Sequence, residues 1–80
     1  MTQYIEELDN GDSFEFSGAK YIISCDFKSD GSRLCVNLNN GTPKWFKSNE
    51  MISKIQIFTM DKDNCIIAIK ETKKDVADKN

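Results

Sequence analysis

Histidine is absent from the 80 residues, which removes the commonest general base near neutral pH and the commonest metal ligand. The remaining nucleophile candidates are Cys25, Cys35 and Cys65. Each lies within an apolar, strand-like run, where desolvation raises a thiol pKa and no helix N-terminus or adjacent base lowers it. These cysteines are therefore expected to be buried, inert thiols of a reducing compartment. Three dispersed cysteines without a CxxC pair do not make a closed zinc set. Asp61-Lys62-Asp63-Asn64 lacks the glycine and distal glutamate of a calcium loop and reads as a β-turn. No phosphate-binding glycine motif is present. The chemistry expected is binding rather than catalysis, with no cofactor and no metal.

The groups left for binding are Lys44, Trp45, Phe46 and Lys47 on one strand, with Lys28 and Arg33 bounding the loop before it. Alternation along a strand sends Trp45 and Phe46 to opposite faces. Either a strongly curved wall buries both rings, or one ring stands exposed among lysines as a contact for a protein or for stacked bases. On the second reading the partner-binding residues are Lys28, Arg33, Lys44, Trp45 and Lys47. A second candidate patch is the acidic group Glu6, Glu7, Asp9, Asp12 and Glu15, for which a solvated charged face is the simpler account.

The elements that must position these residues follow from periodicity. Phe14 and Phe16 share one face of a segment, as do Tyr21, Ile23 and Cys25, then Leu34, Val36 and Leu38; period two is the strand signal. Ile55, Ile57 and Thr59 continue the pattern, followed by Cys65, Ile67 and Ile69. Asn10-Gly11, Ser17-Gly18, Asp30-Gly31 and Asn40-Gly41 punctuate these runs at intervals of about ten residues, with a glycine available for positive φ. Six strands are predicted near 13–17, 20–27, 33–39, 44–48, 53–60 and 64–70. Pro43 marks entry to the fourth, and Ser48-Asn49-Glu50-Met51 predicts one helical turn near 48–52. Ile5 and Leu8 pack as a short turn or lead-in strand.

Length permits one core. A single domain over 1–72 and a flexible polar tail over 73–80 are expected. The net charge of −2 is uneven. Residues 1–31 hold seven acids against Lys20 and Lys28, for −5, and residues 32–60 carry Arg33, Lys44, Lys47 and Lys54 against Glu50, for +3. An acidic whole disfavours indiscriminate nucleic-acid binding, while the basic middle suits a local anionic contact. The opening residues MTQYIEELDN lack a basic leader and an apolar run, so a soluble, cytoplasmic protein is expected. Asn40-Gly41-Thr42 is accordingly a turn rather than a glycosylation site.

The run LDNGDSFEFSGAKYIISCDF, followed by RLCVNLNNGTPKWFKSNEMISKI, resembles the layout of SH3-like barrels of translation proteins, in particular the N-terminal barrel of elongation factor P and its eukaryotic counterpart. Leu8, Gly11, Phe14, Gly18, Tyr21, Leu38, Gly41 and Phe46 occupy matching places in order, over roughly residues 8–55. The resemblance implies an all-β fold, a small SH3-like barrel of five to six short antiparallel strands. It does not imply a translation role, because the loop Phe27-Lys28-Ser29-Asp30-Gly31-Ser32-Arg33 has no lysine at its tip. The layout also resembles small phage-encoded proteins with an NLxxGxxxWF-like strand, matched here by Asn37, Leu38, Gly41, Trp45 and Phe46. That resemblance implies an accessory factor in the host cytoplasm that engages a host or phage protein. The function expected is thus a non-enzymatic protein-binding module. The alternatives are a nucleic-acid-binding barrel and a protein that sequesters a small anionic ligand such as a nucleotide.

Overall fold

The computed structural model describes residues 2–69, so the tail expected over 73–80 and the domain limit at 72 lie outside the described residues. The fold is all-β. Its strands are β1 Thr2–Tyr4, β2 Ser13–Phe16, β3 Ala19–Phe27, β4 Arg33–Asn37, β5 Pro43–Phe46, β6 Met51–Ile55, β7 Phe58–Met60 and β8 Ile66–Ala68, and one 3₁₀ turn, Ile5–Glu7, follows β1. All pairings are antiparallel. One six-stranded sheet runs β1-β6-β2-β3-β4-β5, and β7 and β8 form a separate two-stranded sheet. No helix of the described residues is long and apolar enough to cross a membrane.

Turn chemistry sets the registers. Ser17 and Gly18 both have positive φ, at 51° and 80°, which makes the two-residue turn that matches strand twist and pairs Phe16 with Ala19. At the β4–β5 turn the Asn37 side chain accepts the N–H groups of Asn39 and Asn40. The Asn37 carbonyl accepts the N–H of Gly41 at 2.7 Å. That fixes Leu34 opposite Trp45 and Arg33 opposite Phe46.

Chain connectivity then curls the sheet. β5 and β6 follow one another in sequence but stand four strand spacings apart, about 19 Å if the sheet were flat. Five residue steps from Phe46 to Met51 reach at most about 17 Å, and part of that length is spent in a tight turn, where the Glu50 N–H donates to the Lys47 carbonyl at 3.0 Å. The sheet must bend until β5 overhangs its centre. Phe46 consequently packs on Phe14, Phe16 and Tyr21, with ring centroids 5.1, 5.2 and 5.0 Å away. Ile5, Leu8, Ile23, Cys35 and Ile52 complete the core with Phe14, Tyr21 and Phe46. The sheet curls without closing, because β1 and β5 remain its two ends.

The structure revises three expectations. The helical turn near 48–52 is the tight turn Lys47–Glu50 running into β6, because the carbonyls of Ser48 and Glu50 accept the N–H groups of Glu6 and Ile5 and hold this stretch extended beside the N-terminus. The strand predicted over 53–60 breaks at Gln56–Ile57, and its halves join different sheets. On β4, Cys35 enters the core as expected, while Leu34 and Val36 on the alternate face are partly buried. Finally, Cys25 and Cys65 are exposed and only Cys35 is buried. A register shift between Ile23 and Phe27 turns Cys25 away from the core line set by Tyr21 and Ile23, and Cys65 enters a hairpin that the large sheet does not cover. The Asp61–Asn64 turn is present, with the Asp61 carboxylate accepting the N–H groups of Asp63 and Cys65, each at 2.9 Å.

Candidate functional site

The loop between β3 and β4 and the end strand β5 carry the residues singled out from sequence. Lys28 N–H donates to the Ser32 carbonyl, and Gly31 N–H to the Lys28 carbonyl, both at 2.9 Å. Gly31 has φ 93°, and a Cβ there would lie 3.3 Å from the Cβ of Ser48, so the loop sits tightly against the β5–β6 turn. Asp30 accepts the Ser32 N–H at 2.9 Å. That bond, with help from the Ser32 hydroxyl and Lys28, holds the Asp30 carboxyl below its ordinary value.

The alternation of β5 resolves the question of the two rings. Phe46 is fully enclosed, while Trp45 is 41% exposed on the opposite face. The Lys28 ammonium lies 4.6 Å from the centroid of the indole, a distance at which a cation is attracted to the face of a ring. Lys28 and Trp45 thus form one unit.

The other three predicted residues do not join it. Lys44 shares the Phe46 face by alternation, and its ammonium lies 5.5 Å from the Phe46 ring, at the rim of the core. Lys47 is exposed at the start of the β5–β6 turn. Arg33 pairs with Phe46 across the sheet and so points away from the Trp45 face. One terminal nitrogen donates to the Asn10 side-chain oxygen and to the Ser24 carbonyl, and its buried Nε–H meets no acceptor among the described residues.

Beside Arg33 lies an open cleft of about 330 Å³ lined by Asn10, Cys25, Phe27, Gly31 and Arg33. Phe27, at 70% exposed, is the largest apolar group on its wall. Sequence reasoning did not find this cleft, since Cys25 and Phe27 reach it only through the register shift in β3, for which the sequence carries no period-two signal.

The acidic group also divides. Asp12 is buried, accepts the Asp9 N–H at 2.8 Å and lies 3.7 Å from the Lys54 ammonium, so it is a structural residue of the 9–12 turn. Glu6, Glu7 and Asp9 remain exposed. A further apolar surface belongs to the β7–β8 hairpin. Phe58, Met60 and Ile66 share one face by register and Ile67 lies on the other, and all four are exposed.

No protein family, characterised protein or solved structure matches the chain.

Proposed function

We propose that this chain is a non-enzymatic protein-binding module built on an SH3-like curled sheet, and that it meets its partner through the face carrying Trp45 and Lys28. The observation that carries this reading is a large aromatic ring left half-exposed on the outer face of β5 with an ammonium over it. A tryptophan that could have added to the core and stands outside it is the kind of side chain that anchors protein interfaces. The exposed apolar residues of the β7–β8 hairpin add to the support, since contiguous apolar surface on a small domain marks contact with other molecules. The SH3-like assignment is supported by the short strands, the tight connecting turns and the pairing of the first strand with the sixth.

The test compares affinity purification from the native host with the wild-type chain and with a Lys28→Glu, Lys47→Glu variant as baits. A protein retained by the first and lost by the second supports the reading; identical recovery with both baits removes this face. A nucleic-acid partner would be identified by nuclease sensitivity and by a steep loss of affinity with salt, because phosphate contacts release counterions. The local positive charge is modest and the residues before it are acidic, which favours the protein.

A further inference from the structure

We infer that the open edge of β5 is a strand-addition site, at which an extended acidic segment of a partner protein pairs with the backbone of Trp45. The inference rests on the reading that the Trp45 face meets a protein, and deepens it by giving the form and charge of what binds.

The direction of the Trp45 backbone follows from the ladder. In an antiparallel pair, residues directly opposite one another alternate between exchanging both hydrogen bonds and exchanging none. Leu38 N–H donates to the Lys20 carbonyl on the β3 side, and Asn37 N–H to the Thr42 carbonyl on the β5 side. By alternation along β4, Val36 and Leu34 turn their backbone groups toward β3, and Cys35 and Arg33 turn theirs toward β5. The Ser24 hydroxyl of β3 donates to the Leu34 carbonyl at 2.8 Å, in agreement. Lys44 and Phe46, opposite Cys35 and Arg33, therefore bond to β4, whereas Trp45, opposite Leu34, exchanges no bond with it. Because β5 ends the sheet, the Trp45 N–H and carbonyl project from a free edge. Pro43 faces the same way and adds a carbonyl, and Pro43, Lys44 and Trp45 are all exposed. Lysines and a proline on an edge discourage indiscriminate pairing. Here they leave one donor and acceptor together, at the residue whose indole is half-exposed.

Charge specifies the occupant. Lys28, Lys44 and Lys47 are exposed around this edge. The acids near them are Asp30, which Lys28 helps to hold in its charged form, and Glu50 in the turn that follows β5. Three lysines against two acids leave the edge positive in a chain of net charge −2. A segment paired antiparallel places the residue opposite Trp45 on the indole's face and its neighbours on the Lys44 face. Acidic side chains on the first face reach Lys28 and Lys47, and on the second Lys44. A second copy of this chain fits less well. Two β5 strands paired about Trp45 would bring both Lys28 ammonium groups together and set the two Lys44 side chains at diagonal positions about 7–8 Å apart.

In the free chain, the Trp45 amide should exchange with solvent faster than those of Lys44 and Phe46. The probe is a blocked heptapeptide alternating glutamate and valine, added to the isotope-labelled full chain and followed by nuclear magnetic resonance and tryptophan emission. At about ten times its Kd the peptide should slow Trp45 amide exchange about tenfold, because only the unoccupied edge exchanges. The same peptide N-methylated through its centre keeps its charge and loses its donors, and should leave that exchange unchanged. A peptide with lysine in place of glutamate should bind at least about tenfold more weakly.

Equal binding of the N-methylated peptide, with Trp45 emission altered by both, would overturn strand addition while leaving the Trp45 face as the contact. Equal binding of the lysine peptide would overturn the acidic assignment. A Trp45 amide indifferent to the glutamate peptide would overturn the inference altogether, and the face itself would still be judged by the Lys28→Glu, Lys47→Glu bait. Sedimentation showing a dimer of the free chain, with the Trp45 amide already protected, would also overturn it by giving the edge to a second copy.

Discussion

Phe46, on the last strand of the sheet, meets Phe14 on the third edge-on, with ring centroids 5.1 Å apart and planes at 88°. Two strands, β3 and β4, intervene between them in the sheet. The contact therefore measures the curl directly. It also links the two halves of the molecule's chemistry, because the strand that sends Phe46 inward sends Trp45 outward.

Adjacent residues of β5 should accordingly differ sharply in their contribution to stability. Phe46→Ala removes a ring that touches three others and should cost about 3–5 kcal/mol, comparable with the whole stability of a domain this size. Trp45→Ala removes a half-exposed ring and should cost less than about 2 kcal/mol. Urea unfolding followed by circular dichroism distinguishes them. Equal losses at the two positions would mean that Trp45 is as much a core residue as Phe46.

Strands β2 to β5 of the large sheet were legible because their turns are written in glycine and asparagine and their apolar residues alternate, as at Tyr21 and Ile23, whereas β1, Thr2–Tyr4, has no such signal and is not among the predicted strands. Curvature was legible only in part. The four-residue gap between β5 and β6 requires it, but no local pattern says that Ser48 and Glu50 will bond to Glu6 and Ile5 rather than start a helical turn. Sequence reasoning grouped Lys28, Arg33, Lys44, Trp45 and Lys47, of which the structure brings Lys28 and Trp45 into contact; chain proximity does not reveal which face a side chain takes when β3 changes register just before the loop. The same register change concealed the Arg33 cleft and the exposure of Cys25.

The three thiols should behave as two classes. Burial pushes the Cys35 thiol up to about 11, against which Arg33 acts weakly in the other direction. Cys25 and Cys65 should react with a neutral maleimide in the native state, and Cys35 only on unfolding. Because deprotonation of Cys35 is easier in the unfolded chain, its contribution to stability is present below pH 9 and is lost as the pH rises through about 11. The fall in unfolding free energy over this window should be shallower in Cys35→Ala than in the wild type. Parallel curves for the two proteins would show that Cys35 does not govern it.

The β7–β8 hairpin shares no strand pairing with the six-stranded sheet, and isolated two-stranded hairpins are marginal in water. A chain ended after Gln56 should keep the core, since Ile52 on β6 is its last member. The truncated chain should show a cooperative thermal transition within a few degrees of the full chain. In the full chain, the amides of Phe58–Met60 and Ile66–Ala68 should exchange with solvent well before those of Tyr21–Ile23. A truncated chain that fails to fold would show that the hairpin supports the large sheet.

The face assigned to partner binding makes the last prediction, which separates two lysines on the same side of the chain in sequence but not in space. Lys28 lies over Trp45, whereas Lys44 lies over the buried Phe46 ring on the other face. Trp45 is the chain's one tryptophan, so its emission reports the platform alone. Lys28→Glu removes the cation above the indole and should change the emission intensity or maximum. Lys44→Glu should leave both nearly as they are. Exposed charges contribute little to folding, so each variant should stay within about 0.5 kcal/mol of the wild type. With the partner in hand, Lys28→Glu should weaken binding by about three- to tenfold, the range of an exposed cation–ring contact combined with a lost charge. Lys44→Glu should weaken it less. An affinity unchanged by Lys28→Glu, in a variant whose emission shows that the platform has altered, would exclude the Trp45 face as the contact and leave the β7–β8 hairpin as the surface to probe next.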